Sequence, residues 1–170
     1  MAPSLETERL RLRTWTLNDV EAAFAIYSDS EVTRFFLAPP TISLEEQRAK
    51  LERVIQRFKE MGEEFGYWAI EEKATGEVVG AILLNPLPGH EEIEVGWHLA
   101  RRAWGKGYAT EGGQAGLAYG FDTMGLKRIV AVVASGNVKS QNVALRLGMQ
   151  HTGRIHAYEQ ELEFFVLERN

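Results

Sequence analysis

The chain has 170 residues, 45% of them apolar and 25% charged, with a formal charge of −5 and no cysteine. This suits one globular domain with a full core and excludes disordered or fibrous chains, disulfides, cysteine nucleophiles and thiolate metal sites. The acidic balance without a lysine-rich run argues against nucleic acid and slightly favours cationic acceptors, and the frequent Arg and Glu leave no signal peptide or membrane span, so a cytoplasmic protein is expected.

In chain order, the pattern predicts a strand over residues 9–13 and a helix over 18–27, with Asn18 as N-cap and Val20, Phe24 and Tyr27 on one face. Residues 35–40 form an apolar loop that ends in proline. Ser43-Leu44-Glu45-Glu46 is a capping box that starts a helix to Lys59, with Leu51, Val54, Ile55 and Phe58 apolar. Strands are expected over 67–71, 78–84 and 92–99, with turns at Thr75-Gly76 and over 86–89. In the third of these strands Ile93, Val95, Trp97 and Leu99 alternate with Glu92, Glu94, Gly96 and His98. A helix over 107–124, a buried strand over 129–133 and a helix that begins near Asn137 and stops at Gly148 follow. The tail reads as two closing strands, 151–158 and 162–168. No repeat or linker divides the chain, so residues 1–170 form a single α+β domain of layered helices and sheet.

Between the third strand and the following helix lies a loop with glycines at 105 and 107, a phosphate cradle by its chemistry. Backbone N–H groups at a helix start have no partner within the helix, and the helix dipole adds partial positive charge, so an anion binds there almost without side chains. Arg102 and Lys106 add formal charge suited to a diphosphate. A Walker loop would need Ser or Thr after Lys106, and a dinucleotide fingerprint would need a third glycine where Thr110 stands. A capped helix with two turn glycines and no ligand is the plain alternative. In the helix that follows, Gly112, Gly116 and Gly120 recur every four residues, a bare stripe for close packing on the sheet. His90, His98, His151 and His156 lack the i,i+4 spacing of helical zinc sites, and no metal is expected.

Five segments occur together in order: Glu6-Thr7-Glu8-Arg9-Leu10-Arg11-Leu12-Arg13, Ser28-Asp29-Ser30-Glu31-Val32, Glu94-Val95-Gly96-Trp97, Arg102-x-x-Gly105-x-Gly107-Tyr108-Ala109, and Asn137-x-x-Ser140 through Leu147-Gly148-Met149. With these the chain resembles, nearly end to end, the GNAT superfamily of N-acetyltransferases, specifically the RimJ/RimL branch of ribosomal-protein alanine N-acetyltransferases. The resemblance implies a central, mostly antiparallel mixed sheet of about seven strands flanked by about four helices. It also implies acetyl-CoA as donor, with its pyrophosphate on Arg102, Ala103, Trp104, Gly105, Lys106, Gly107, Tyr108, Ala109 and Thr110, and its pantetheine arm beside Trp97, His98 and Leu99. Asn137 would bind the cofactor arm, cap its helix, or both.

The chemistry so implied is direct attack of an amine on a thioester in a ternary complex. Glu94, on the central strand just before the residues that flank the thioester, is the candidate general base; a solvent-side residue of an alternating strand is the other reading. An α-amine, with a pKa of about 7.7 to 8.0, needs less help than a lysine at about 10.4. Polarisation of the carbonyl by a backbone N–H near His98 or Leu99 would supply much of the rest. Where many superfamily members carry a tyrosine to protonate the leaving thiolate, this chain has Ala144, and Ser140 becomes the candidate donor, with an ordinary helix serine as the alternative. Phe35, Phe36, Trp68 and Tyr158 are the candidates to line the acceptor pocket. The expected acceptor is a protein or peptide N-terminal α-amine, a ribosomal protein among the options. A polyamine, aminoglycoside or metabolite acceptor, or a non-catalytic acyl-CoA sensor, are the alternatives. No nucleic acid or membrane partner is expected, and a homodimer is left open.

Overall fold

The computed structural model describes residues 2–170. One eight-stranded sheet runs in the order β1-β2-β3-β4-β5-β6-β8-β7, with β1 Leu5–Glu6, β2 Leu10–Thr14, β3 Gly66–Glu72, β4 Val78–Pro86, β5 Ile93–Leu99, β6 Arg128–Val133, β7 Gln150–Ala157 and β8 Gln160–Glu168. The strand beyond the expected seven is the two-residue β1. Every neighbouring pair is antiparallel except β5 and β6.

Four α-helices flank the sheet: α1 Val20–Tyr27, α2 Leu44–Met61, α3 Tyr108–Ala118 and α4 Val138–Arg146. One face packs Trp68, Ile70, Ile82, Leu84, Val95 and Ile129 against α3 and α4, and the other packs Ala69 and Ala81 against Ala23 and Ile26 of α1 and Leu51 of α2. The small residues allow the first of these contacts. A Cβ added at Gly112 would lie 3.0 Å from Ile82, at Gly116 3.1 Å from the same residue, and at Gly120 2.6 Å from Ile129.

The first helix starts differently from the sequence expectation. Thr16, not Asn18, caps a 3-10 turn over Leu17–Asp19, and α1 begins only at Val20. The cause is Asp19, whose carboxylate accepts from the Thr16 N–H at 2.8 Å and takes both Arg13 Nη1 and Nη2 at 2.9 Å, which fixes the turn against β2. The buried stripe of α1 is Ala23 and Ile26, flanked by Val20 and Tyr27, while Phe24 lies outside that cluster. The expected helix over 107–124 becomes a π turn after Ala118. That wider turn buries Tyr119, Gly120 and Phe121 in succession. Ser43 caps α2 as expected, accepting from the Glu46 N–H at 3.1 Å.

Candidate active site

The parallel pair β5/β6 meets at one position, Glu94 with Val130, and residues 95–99 have no partner on that side. Beyond that point the strands diverge and a cleft of about 1380 Å³ opens, lined by Trp97, His98 and Leu99 of β5, the loop at Trp104, Gly105 and Gly107, the start of α3, and residues 136–140 before and in α4. The Trp97 indole N–H spans the cleft to the Ser140 hydroxyl oxygen at 3.3 Å, which leaves the Ser140 proton free for another acceptor.

The glycine loop sits at the end of this gap. Gly105 and Gly107 adopt φ of 76° and 79°, conformations that glycine takes without strain. Among the described residues, none of the backbone N–H groups of residues 105–110 has a protein acceptor, and the first helical bond after the loop is Glu111 N–H to the Gly107 carbonyl. The loop is tied down at both ends. The Trp104 indole donates to the Leu99 carbonyl at 3.0 Å, and Arg9 Nη1 donates to the Lys106 carbonyl at 2.8 Å. Glu111 in turn accepts from the Thr7 hydroxyl and from the backbone and side chain of Arg9, which gives the Thr7-Glu8-Arg9 segment a structural task beneath the cradle.

Three of the residues expected on the cofactor point elsewhere. Arg102 pairs with Glu77 at 3.1 Å and donates to the Val78 carbonyl, because the β3–β4 hairpin presents those acceptors on the far side of the loop. Lys106 Nζ lies 3.7 Å from Glu72 and does not line the cleft. Ala103 is buried in the core, its N–H bonded to the Ala100 carbonyl. The cations that do line the cleft are Arg9, Arg34, Lys139 and Arg146, the Lys139 ammonium lying 4.4 Å from the Trp104 ring centroid. Their signal in the sequence was thin: Lys139 and Arg146 are polar positions of an amphipathic helix, and only the placement of α4 makes them cleft residues. Tyr108 and Thr110 line the cleft as expected, as does Ala109; the Tyr108 phenol is turned inward and donates to Glu72. Asn137 accepts from the Ser140 N–H at 3.3 Å and so caps α4 while lining the cleft.

On the α1/α2 face of β5 sit Glu94 and His98, four residues apart and therefore about 13 Å along the strand. Glu94 is 4% exposed, accepts a hydrogen bond from the Tyr158 hydroxyl, and is absent from the cleft lining. Burial pushes its carboxyl up to about 7, against the opposing pull of the Tyr158 hydrogen bond and the Arg57 charge. Tyr158 reaches it from the β7–β8 hairpin tip, where Tyr158 and Glu159 both hold positive φ, 50° and 60°. His98 is held differently. Its Nδ1 is 2.9 Å from the Tyr27 hydroxyl, which is 2.6 Å from the Tyr67 hydroxyl, and burial pulls the imidazole down to about 4. Burial also pushes Tyr67 up to about 12.

Of the acceptor-side residues expected from sequence, Phe35 and Phe36 line the cleft, the Phe36 ring 4.6 Å from that of His98. Trp68 does not. It is 1% exposed on the opposite sheet face, edge-on to Tyr119, with its indole N–H donating to the Pro3 carbonyl at 2.9 Å. The alternation of β3 accounts for this, since Tyr67 and Trp68 must face opposite ways.

Residues 9–150 match the acetyltransferase (GNAT) domain family. The chain belongs to that family. It is 36% identical over 161 residues to YoaA of Bacillus subtilis strain 168, an uncharacterized N-acetyltransferase, a match that covers 93% of this chain and 89% of YoaA. The acetyltransferase from Agrobacterium tumefaciens strain C58 superposes with a TM-score of 0.83 at 26% identity, covering 99% of this chain and 96% of that one. The ribosomal-protein-S5-alanine acetyltransferase from Vibrio fischeri shares the fold, with a TM-score of 0.70 at 21% identity over 98% of this chain and 96% of that one. The protein is thus a GNAT acetyltransferase, an enzyme of the acetyl-CoA-dependent acyltransferases. Among the described residues no group of three or more His, Asp or Glu side chains could hold a metal ion, and no helix is long and apolar enough to cross a membrane.

Proposed function

We propose that the protein transfers the acetyl group of acetyl-CoA to the α-amine of a peptide or protein N-terminus. The observation that carries the reading is the divergence of β5 and β6 at Glu94, with a row of unpartnered N–H groups at the end of the gap. Bound acetyl-CoA supplies an acyl carbon activated as a thioester. The N–H groups of residues 105–110 hold the diphosphate, and Arg34, Lys139 and Arg146 add positive charge around it. The open edge of β5 hydrogen-bonds the pantetheine arm, and Ser140, its oxygen already occupied by Trp97, offers the leaving sulfur a stabilising hydrogen bond while keeping its own proton. Glu94, poised near neutrality, takes the first proton from an incoming ammonium by way of the Tyr158 hydroxyl. An α-amine suits such a base because its pKa lies about one unit above that of the carboxyl.

The breadth of the cleft, flanked by the Phe35-Phe36 loop and open to solvent, suits an extended peptide end better than a small enclosed amine. The test is acetyl-CoA turnover, read as free thiol, over a panel of peptides with free and blocked N-termini and of polyamines, aminoglycosides and amino metabolites. Thiol release that requires a free peptide α-amine is expected. Release with small amines alone would overturn the acceptor assignment, and the absence of release with every amine on the panel would favour an acyl-CoA sensor.

A further inference from the structure

The acceptor face holds a second proton-accepting group besides Glu94. His98 Nδ1 is fixed by Tyr27, and its other ring nitrogen, Nε2, has no protein partner. Nε2 is nevertheless absent from the polar atoms that are both sealed from solvent and unsatisfied, which among the described residues are only Trp15 Nε1 and Gln47 Oε1. It therefore opens on the cleft, where His98 stands between Trp97 and Leu99 and beneath the Phe36 ring. A buried chain of two phenols ending on one imidazole nitrogen fixes the ring and so the direction in which the far nitrogen points.

We propose that His98 is a catalytic residue whose Nε2 accepts the proton that nitrogen loses as the acetyl group is transferred, and that Tyr27 and Tyr67 are positioning residues that keep its lone pair facing the cleft. The inference rests on the acetyl-transfer reading above. An ammonium acceptor loses two protons on its way to an amide. The first leaves before attack, to Glu94 and then to solvent. The second leaves as the C–N bond forms and the C–S bond breaks; His98 Nε2 takes it and hands it to the departing sulfur, so free thiol is released and the imidazole is neutral again. Glu94 is about 13 Å down the strand and cannot serve both steps directly.

This role for His98 requires one of the two directions open to the hydrogen-bond chain. Nδ1–H donates to the Tyr27 oxygen, Tyr27 donates to Tyr67, and Nε2 is left bare. A neutral imidazole is required, and burial beside the Tyr27 and Phe36 rings supplies it; no carboxylate or cation contributes to its shift.

Nitrogen-15 NMR of the histidine-labelled wild-type protein reads the tautomer without any turnover. A protonated Nδ1 and a bare Nε2 at pH 7, persisting below pH 5.5, are expected; a protonated Nε2, or an imidazolium at pH 6, would overturn the assignment. In kinetics, His98→Gln should lower kcat by about 10²- to 10⁴-fold while the Kd for CoA stays within about twofold. Tyr27→Phe should keep the fold and CoA affinity, lower kcat less, and allow Nε2–H to appear in the spectrum. An unchanged kcat in His98→Gln refutes the role. If the wild type releases no thiol with any amine, the acetyl-transfer reading fails instead, and the NMR result still decides whether the lone pair faces the cleft.

Discussion

Glu94 and His98 are displaced in opposite senses by the same cause, loss of water on one face of one strand. For Glu94 the folded value, about 7, lies above the ordinary 4.5, so the folded chain holds that proton more tightly than the unfolded one. Its contribution to stability is complete below pH 4.5 and is lost as pH rises through 7. For His98 the folded value, about 4, lies below 6.5, so its contribution is complete above 6.5 and is lost as pH falls through 4. The two slopes oppose each other across almost the same window and hide one another in the wild type. Glu94→Gln removes one of them. Denaturant unfolding should find this variant equal to wild type near pH 4.5 and more stable by about 3 kcal/mol at pH 8, with turnover reduced; a difference that stays flat with pH would show that the carboxyl is not displaced. The alternation along β5 made the shared face of Glu94 and His98 legible from sequence. Their partners were not, because Tyr158, Tyr27 and Tyr67 come from a hairpin, a helix and another strand, 31 to 71 residues away.

The glycine stripe of α3 was legible as spacing alone, since only a helix brings positions 112, 116 and 120 onto one line. At Gly120 the neighbouring Ile129 leaves no room for a methyl group, the added Cβ falling 2.6 Å from its Cδ1. Gly120→Ala should gain helix propensity of up to about 1 kcal/mol yet lose about 1 to 3 kcal/mol to overpacking. A net fall in thermal midpoint is expected, and a rise would mean that Ile129 steps aside freely. The π turn at this end of α3 and the 3-10 turn at the start of α1 lay beyond sequence reading. Each is set by what packs against it, a run of inward aromatics in one case and the Arg13–Asp19 pair in the other. Arg102 and Lys106 went astray for a similar reason, since the acidic residues that claim them belong to β3 and to the β3–β4 turn rather than to their own loop.

The whole molecule is a sheet joined at its middle by a single parallel pairing between β5 and β6, so a ligand seated there touches both halves at once. CoA at a hundredfold over its Kd should therefore stabilise the fold by about 2.7 kcal/mol, visible as an upward thermal shift; no shift at saturating CoA would remove the cleft as its seat. Seven of the eight strands, and the order of the four helices, followed from the order of the motifs. The gap itself did not, because nothing in β5 or β6 read alone says where two neighbours part.

That gap has a bearing on solubility as well as on binding. Bare strand backbone is an invitation to other chains, and the two outer borders of this sheet are guarded against it. β1 is only two residues long, and β7 carries His151, Arg154 and His156 with an irregular register next to Gly153. The unpaired rim of β5, by contrast, lies inland, walled by α4 and the loop before α3. Only a slender, thread-like guest fits there, so the enzyme keeps an adhesive surface for its substrate without offering a template on which fibrils could grow.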